Sequence, residues 1–172
     1  MWAAPNTSGG FHEFLKDRWE GLAPDAEDVL LVGEGRAVKA HMQATYPEWR
    51  ITTADLFLKG DDSADLAIDI CSVGTLPVES FDLIINQANL EHVYDPFGAM
   101  RNLSQSLRVG GVHVLHTHLP GMDYHAFPRD YFRFMPDWFL DLPERLDRKI
   151  GVLGVWPEYN IHVFAAYNRV SL

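Results

Sequence analysis

Cysteine is almost missing: Cys71 stands alone in 172 residues. No internal disulfide can form, and a reducing compartment such as the cytoplasm suits the chain. Long apolar runs are missing too. No stretch approaches the roughly 20 apolar residues that cross a bilayer, so no membrane partner is expected, and residues 1–10 lack the basic and apolar regions of a secretory signal. Basic residues are scarce, 14 Lys and Arg against 24 Asp and Glu, which leaves a net charge of -10. Nucleic-acid backbones are held largely by Lys and Arg neutralising phosphates. The balance therefore argues against nucleic acid as the main partner and favours a small molecule or a glycan. An acidic substrate would need a local basic patch, for which Arg36, Arg129 and Arg133 are the nearest candidates. Internal repeats and low-complexity segments are absent as well, and 47% hydrophobic residues suffice for the core of one domain over 1–172.

What is present is an alternation of short apolar strands with amphipathic helices. Residues 1–10 read as a flexible end. Residues 11–23 follow as an N-terminal capping helix, with Phe11, Phe14, Leu15, Trp19 and Leu22 at helical spacing. Strands are expected at 29–32, 49–53, 64–68, 81–86 and 112–115. The run 81–86 is too short for a helix and rich in β-formers, as a buried parallel strand is. Between the strands lie helices at 37–46 and 96–107, the second with Asp95 as N-cap and Pro96 in its first turn. Asp61 and Asp62 read as a solvated acidic pair in a loop. Residues 135–142 form a short helix ended by Pro143. Two strands, 149–156 and 159–167, close the chain around a Pro157-Glu158 turn. The fold class is α/β: a Rossmann-like, doubly wound, mostly parallel sheet with an antiparallel C-terminal strand.

Ligands in such sheets bind beyond the carboxyl ends of the strands. The turn Gly33-Glu34-Gly35 after the first strand offers backbone without β-carbons for close approach. Asp55 lies at the end of the second strand, at the distance from Gly35 where an acid can accept hydrogen bonds from ribose hydroxyls.

The series Asp69-Ile70, Leu76-Pro77, Phe81-Asp82, Leu90-Glu91-His92-Val93 and 107–111 resembles the class I S-adenosylmethionine-dependent methyltransferases of the type 11 branch. The likeness spans about residues 28–139. The segment from His125 through Pro128, Asp130 and Tyr131 to Phe134 resembles a signature that follows the fifth strand in one subset of that branch. The resemblance implies S-adenosylmethionine as cofactor, held by Gly33, Glu34, Gly35, Asp55, Leu56, Asp69, Ile70, Asn86 and Gln87. Asp69 would accept from the adenine amino group, and Ile70 would pack on the ring. Asn86 and Gln87 would flank the methionine portion, while Glu91-His92 belongs to the pocket scaffold. Leu31 replaces the acid usual in the first strand, and Ala37 replaces a commoner glycine. Glu34 is a candidate to supply the missing carboxylate.

His125 is the candidate general base with Asp130 orienting it, and His118, Tyr131 and Arg133 are candidates to bind the acceptor. An i, i+3 ion pair between Asp130 and Arg133 is the structural alternative. His116, His118, Asp123 and His125 crowd the end of the fifth strand. Hydrogen-bonded pocket histidines are the preferred account there; a metal site stays open and none is assigned. The expected reaction is methyl transfer to an oxygen or nitrogen of a small molecule or glycan. A non-catalytic S-adenosylmethionine or nucleoside binder with a degenerate glycine-rich turn is the alternative. A nicotinamide enzyme fits less well, because Val38 stands at the third glycine position of that fingerprint. Specificity falls to the N-terminal helix, the loop after strand five and, if the chain forms a homodimer, a second subunit.

Overall fold

The computed structural model describes residues 8–147, 149–158 and 160–171, with the side chains of 8–14 outside the description. The reading of the first residues as a flexible end, and the side chains of Phe11 and Phe14 in the capping helix, fall outside it. In chain order the elements are α1 (Ser8–Leu22), β1 (Asp28–Val32), α2 (Arg36–Thr45), β2 (Arg50–Asp55), β3 (Leu66–Ala67), β4 (Phe81–Gln87), α3 (Pro96–Ser106), β5 (Leu107–His118), α4 (Pro136–Arg145), β6 (Ile150–Glu158) and β7 (His162–Arg169), with 3-10 turns at Gly60–Asp62 and Leu90–His92. The strands form one seven-stranded sheet in the order β3-β2-β1-β4-β5-β7-β6. β1 to β5 are parallel, and β7 runs antiparallel to both β5 and β6. The order reverses between β1 and β4, which opens a crevice at their carboxyl ends.

Alternation along the strands divides the core between the two faces of the sheet. Leu30, Val32, Ile84 and Leu115 face the layer that holds Met100 and Leu103 of α3 and Phe139 and Leu142 of α4. Leu31, Leu83, Ile85 and Val114 face Leu15 and Trp19 of α1 and Met42 of α2. Asp95 caps α3 as expected, its Oδ1 accepting the Gly98 N–H at 2.9 Å with Pro96 in the first turn.

Three local expectations need correction. Pro143 does not stop α4, which runs on to Arg145. A proline removes the N–H that would bond the carbonyl four residues back. That carbonyl, Phe139 O, instead accepts the buried Tyr167 hydroxyl at 2.9 Å. Pro157 and Glu158 belong to β6, paired with Val163 and His162, and are not the hairpin turn. β6 lies at the sheet edge, where a proline is tolerated. Asp62 is not merely solvated. Its Oδ1 accepts the Ala37 N–H at 2.8 Å and so caps α2 from outside the helix. No helix among the described residues is long and apolar enough to cross a membrane.

Candidate functional site

The carboxyl ends of β1, β2 and β3 and the turn after β4 enclose a cavity of about 250 Å³. Gly33, Asp55, Leu56, Asp69 and Ile70 all line it. Asp55 Oδ1 accepts the N–H groups of Phe57 at 2.5 Å and Leu58 at 2.6 Å, which pins the carboxylate at the wall. Its other oxygen takes no hydrogen bond from the described residues and is left for a ligand. Asp69 serves twice: it lines the cavity and also caps its own turn, accepting the Cys71 N–H at 2.9 Å. Leu56, Phe57 and Ile70 supply apolar wall. Burial pushes the Cys71 thiol up to about 11, which favours its neutral form.

Gly33 has φ +78°, and a Cβ there would lie 2.7 Å from Asn89 Nδ2. The glycine is thus required twice, by its backbone and by Asn89 packed over it. Asn89 Oδ1 and both amide atoms of Asn86 are buried without a hydrogen-bond partner among the described residues. Each such orphan costs about 1–3 kcal/mol until something pairs with it. Asn89 lines the cavity, whereas Asn86 lies sealed at the end of β4. Sequence reasoning missed Asn89, whose neighbour Ala88 takes a positive φ of 48° and marks only a loop.

Gly35, Glu34 and Gln87 are not among the residues of this cavity. A Cβ on Gly35 would meet Asp62 O at 2.2 Å, so this glycine admits the 3-10 turn. Glu34 and Gln87 share a second cavity of about 20 Å³ with Leu31, Val38 and Trp19, on the α1 and α2 side. Glu34 therefore lies beside the residue whose missing acid it was expected to replace. Burial, and then the charges of Asp62 and Asp55, push its carboxyl up to about 7.

The opposite wall is aromatic. Phe127, Tyr131, Tyr94 and His92 line it, with Tyr94 and Tyr131 edge to face at 5.6 Å. Phe127 and Tyr94 are mostly exposed and form a rim. The loop that carries Tyr131 is tied down from within. Glu91 O accepts the N–H groups of Tyr131 at 2.8 Å and Phe132 at 3.2 Å. Asp130 accepts the backbone N–H of His125 at 2.8 Å and both terminal nitrogens of Arg133 at 2.5 and 2.6 Å. The Arg133 guanidinium accordingly holds the Asp130 carboxyl well below the usual range. Arg133 also donates to the carbonyls of Met122, Asp123 and Phe132, so it faces the loop and not the cavity. Asp130 Oδ2 is 3.7 Å from His125 Nδ1 and fixes the backbone of His125 more than its ring.

Beneath this loop Glu91 is fully buried. Its Oε2 accepts the Thr117 hydroxyl at 2.6 Å, and its Oε1 stands 2.7 Å from His118 Nδ1, 3.6 Å from His125 Nε2 and 3.8 Å from His92 Nε2. Burial pushes this carboxyl up, but the His118 imidazole and the Thr117 hydroxyl outweigh it and hold the group ionised. His118, expected at the acceptor, is buried behind the wall. His116 Nε2 lies 3.1 Å from His162 Nδ1, and burial keeps His116 neutral. Glu91 meets Thr117, His118 and His125 only through the fold; its acidity beside His92 was visible, its partners were not.

Comparison with known proteins bears on this crevice. Residues 31–115 match the family model described as a methyltransferase domain. Among solved structures, the chain resembles a protein of Listeria monocytogenes assigned as an S-adenosylmethionine-dependent methyltransferase, with TM-score 0.69, 11% identity, and 96% of this chain and 100% of that one covered. The [4+2]-cyclase SpnF aligns with TM-score 0.68 and 14% identity over 100% of this chain and 86% of its own. An S-adenosylmethionine-dependent methyltransferase of Clostridium acetobutylicum gives 0.66 and 10% over 97% and 94%. At these identities the structures show the fold alone. No curated protein matches the chain in sequence.

Proposed function

This chain belongs, through residues 31–115, to the type 11 branch of the class I S-adenosylmethionine-dependent methyltransferases, and from that premise we propose that it methylates an oxygen or nitrogen of a small molecule or glycan. One observation carries the reading: a carboxylate, apolar walls and the unpaired amide oxygen of Asn89 for a charged nucleoside share one cavity with an aromatic wall for an acceptor.

The cofactor, when bound, supplies an electrophilic methyl group on a sulfonium. Asp55 would hold the ribose hydroxyls through its free oxygen. Leu56 and Ile70 would flank the purine. Asn89 Oδ1 would accept from the ammonium end. Tyr94, Phe127 and Tyr131 would hold a flat apolar face of the acceptor, as aromatic rings do for rings and sugars alike. Alignment of the acceptor atom with the methyl is the main requirement, since the step is an in-line displacement. His92 is the imidazole at the cavity wall, and His125 packs against it at 5.1 Å between ring centroids. Asp130 and Arg133 act as the clamp that positions this loop. The site favours uncharged acceptors, because the guanidinium expected to meet an anion is already satisfied. A single cysteine suits a cytoplasmic enzyme.

Isothermal titration with S-adenosylmethionine and S-adenosylhomocysteine, followed by labelled-methyl transfer to a panel of phenols, amines and sugars, tests the proposal. Binding of both, with transfer to an acceptor bearing a flat face, supports it. Binding without transfer to any acceptor favours the non-catalytic reading suggested by Leu31, and failure to bind either compound refutes both.

A further inference from the structure

Four features converge on Glu91 Oε1. First, this oxygen and His118 Nδ1 are both buried and neither makes a hydrogen bond of acceptable geometry, although they lie 2.7 Å apart. Two ligand atoms that share an ion have that relation, as does a bent ion pair. Second, one carboxylate oxygen and two imidazole nitrogens, from Glu91, His118 and His125, lie within 4.8 Å of one another. Donors around a tetrahedral zinc ion are about 3.4 Å apart, given bonds of about 2.0–2.1 Å. The distances of 2.7 and 3.6 Å from Glu91 Oε1 bracket that value. Third, His92 Nδ1 is 2.6 Å from the carbonyl of Arg129, which can only accept. The proton must therefore sit on Nδ1, and in the neutral ring Nε2 turns its lone pair toward Glu91 Oε1, 3.8 Å away. Two acceptors facing each other in a buried site need a proton or a metal ion between them. Fourth, the surrounding bonds fix the donors, as ligand sets require. Thr117 holds the second oxygen of Glu91, and Asp130 holds the backbone of His125.

We propose that Glu91, His118 and His125 bind a divalent first-row metal ion, with His92 as the nearest further nitrogen. One carboxylate with two or three imidazoles suits zinc, cobalt or iron and does not suit magnesium or calcium, which take oxygen ligands. A neighbouring set, His116, His118 and His162, is the weaker choice. Two of its rings are already hydrogen-bonded to each other, and all three are buried, whereas the His125 side chain is 35% exposed and gives an entry path.

The inference rests on the cofactor reading of the cavity and sharpens its acceptor. None of the three ligands lines the cavity, but His92, which does, stands 3.8 Å from Glu91 Oε1, so the ion lies just behind the acceptor wall. An open position there would take a hydroxyl oxygen and lower its pKa. The hydroxyl proton passes to solvent, the oxygen keeps the electron pair, and the O–C bond forms as the S–C bond of the sulfonium breaks. His125 becomes a ligand and is no longer the base, and the acceptor class narrows to hydroxyl compounds.

The test uses the full chain, stripped with EDTA and desalted. Zinc is titrated calorimetrically and cobalt by visible absorption, without cofactor. One equivalent is expected to bind, with His125→Ala and Glu91→Gln each weakening it about tenfold or more while circular dichroism shows the fold retained. Should Glu91→Gln fail to fold, His125→Ala on its exposed loop decides. Absence of stoichiometric uptake by the unmodified protein overturns the site, as does His125→Ala binding as tightly as the parent. S-adenosylhomocysteine binding to the stripped protein tests the cavity separately: its loss would sink that reading and leave the zinc result standing.

Discussion

The two ends of the sheet treat polar groups in opposite ways. At the amino end, Asp28 and Asp82 meet Arg50 and Arg108 at 2.7–2.8 Å, and Asp82 also accepts the N–H groups of Glu27 and Asp28. Both oxygens of Asp28 and both of Asp82 have donors, and Arg50 beside Asp28 holds its carboxyl at about 2. At the carboxyl end, Asn86, Asn89 and Glu91 keep buried atoms without hydrogen-bond partners, and Glu34 is pushed to about 7. Paired charges at one end complete the fold; unpaired ones at the other leave bonding capacity for something the chain does not itself supply.

The largest expected effect comes from Glu34. Its folded pKa lies above the ordinary 4.5, at about 7. Stability linked to this group is therefore fully present below about pH 4.5 and is lost as pH rises through 7, by on the order of 3 kcal/mol. Glu34→Gln should remove that loss, so denaturant melts at pH 5 and pH 8 should nearly coincide for the variant and differ for the parent. Asp28 has the reverse sign: its stabilisation is present above about 4 and fades as pH falls through 2. Equal pH slopes in both Glu34 forms would erase the contrast.

Next in size, Asp55→Ala should weaken S-adenosylhomocysteine binding by about 1–3 kcal/mol, by loss of a hydrogen-bonded carboxylate. Titration calorimetry reads this directly. Asn86→Leu should raise the stability of the ligand-free protein by about 1–2 kcal/mol, since it deletes a buried amide that has no partner. A lower melting temperature for this variant would mean that Asn86 is satisfied in solution and belongs with the amino end. Smallest of all, Arg108→Gln should cost about 0–1 kcal/mol of stability, as exposed pairs do. Its cofactor affinity should match the parent, and a shift there would show that the two ends are coupled.

Much of this architecture was legible in the sequence because short-range rules govern it. The apolar run at β4, the Asp95–Pro96 start of α3 and the Gly33 turn each follow from a few adjacent residues. Pro143 and Pro157 misled because their local penalties are offset at a distance, by the Tyr167 hydroxyl and by an edge position in the sheet. Along the cavity, Gly33 and Asp55 were readable from strand ends, and Ile70 only through the family resemblance. Arg133 and Asp130 were readable only as alternatives, since sequence spacing permits an ion pair as well as an acceptor contact. Asn89 and the ring of histidines around Glu91 depend on three segments meeting, which no spacing announces.

The most direct test is calorimetric titration of S-adenosylhomocysteine into the parent protein, Asp55→Ala and Arg108→Gln. One equivalent should bind to the parent and to Arg108→Gln with equal affinity, and clearly less tightly to Asp55→Ala. No binding to the parent, or the same affinity in all three, would contradict a nucleoside held in the crevice between β1 and β4.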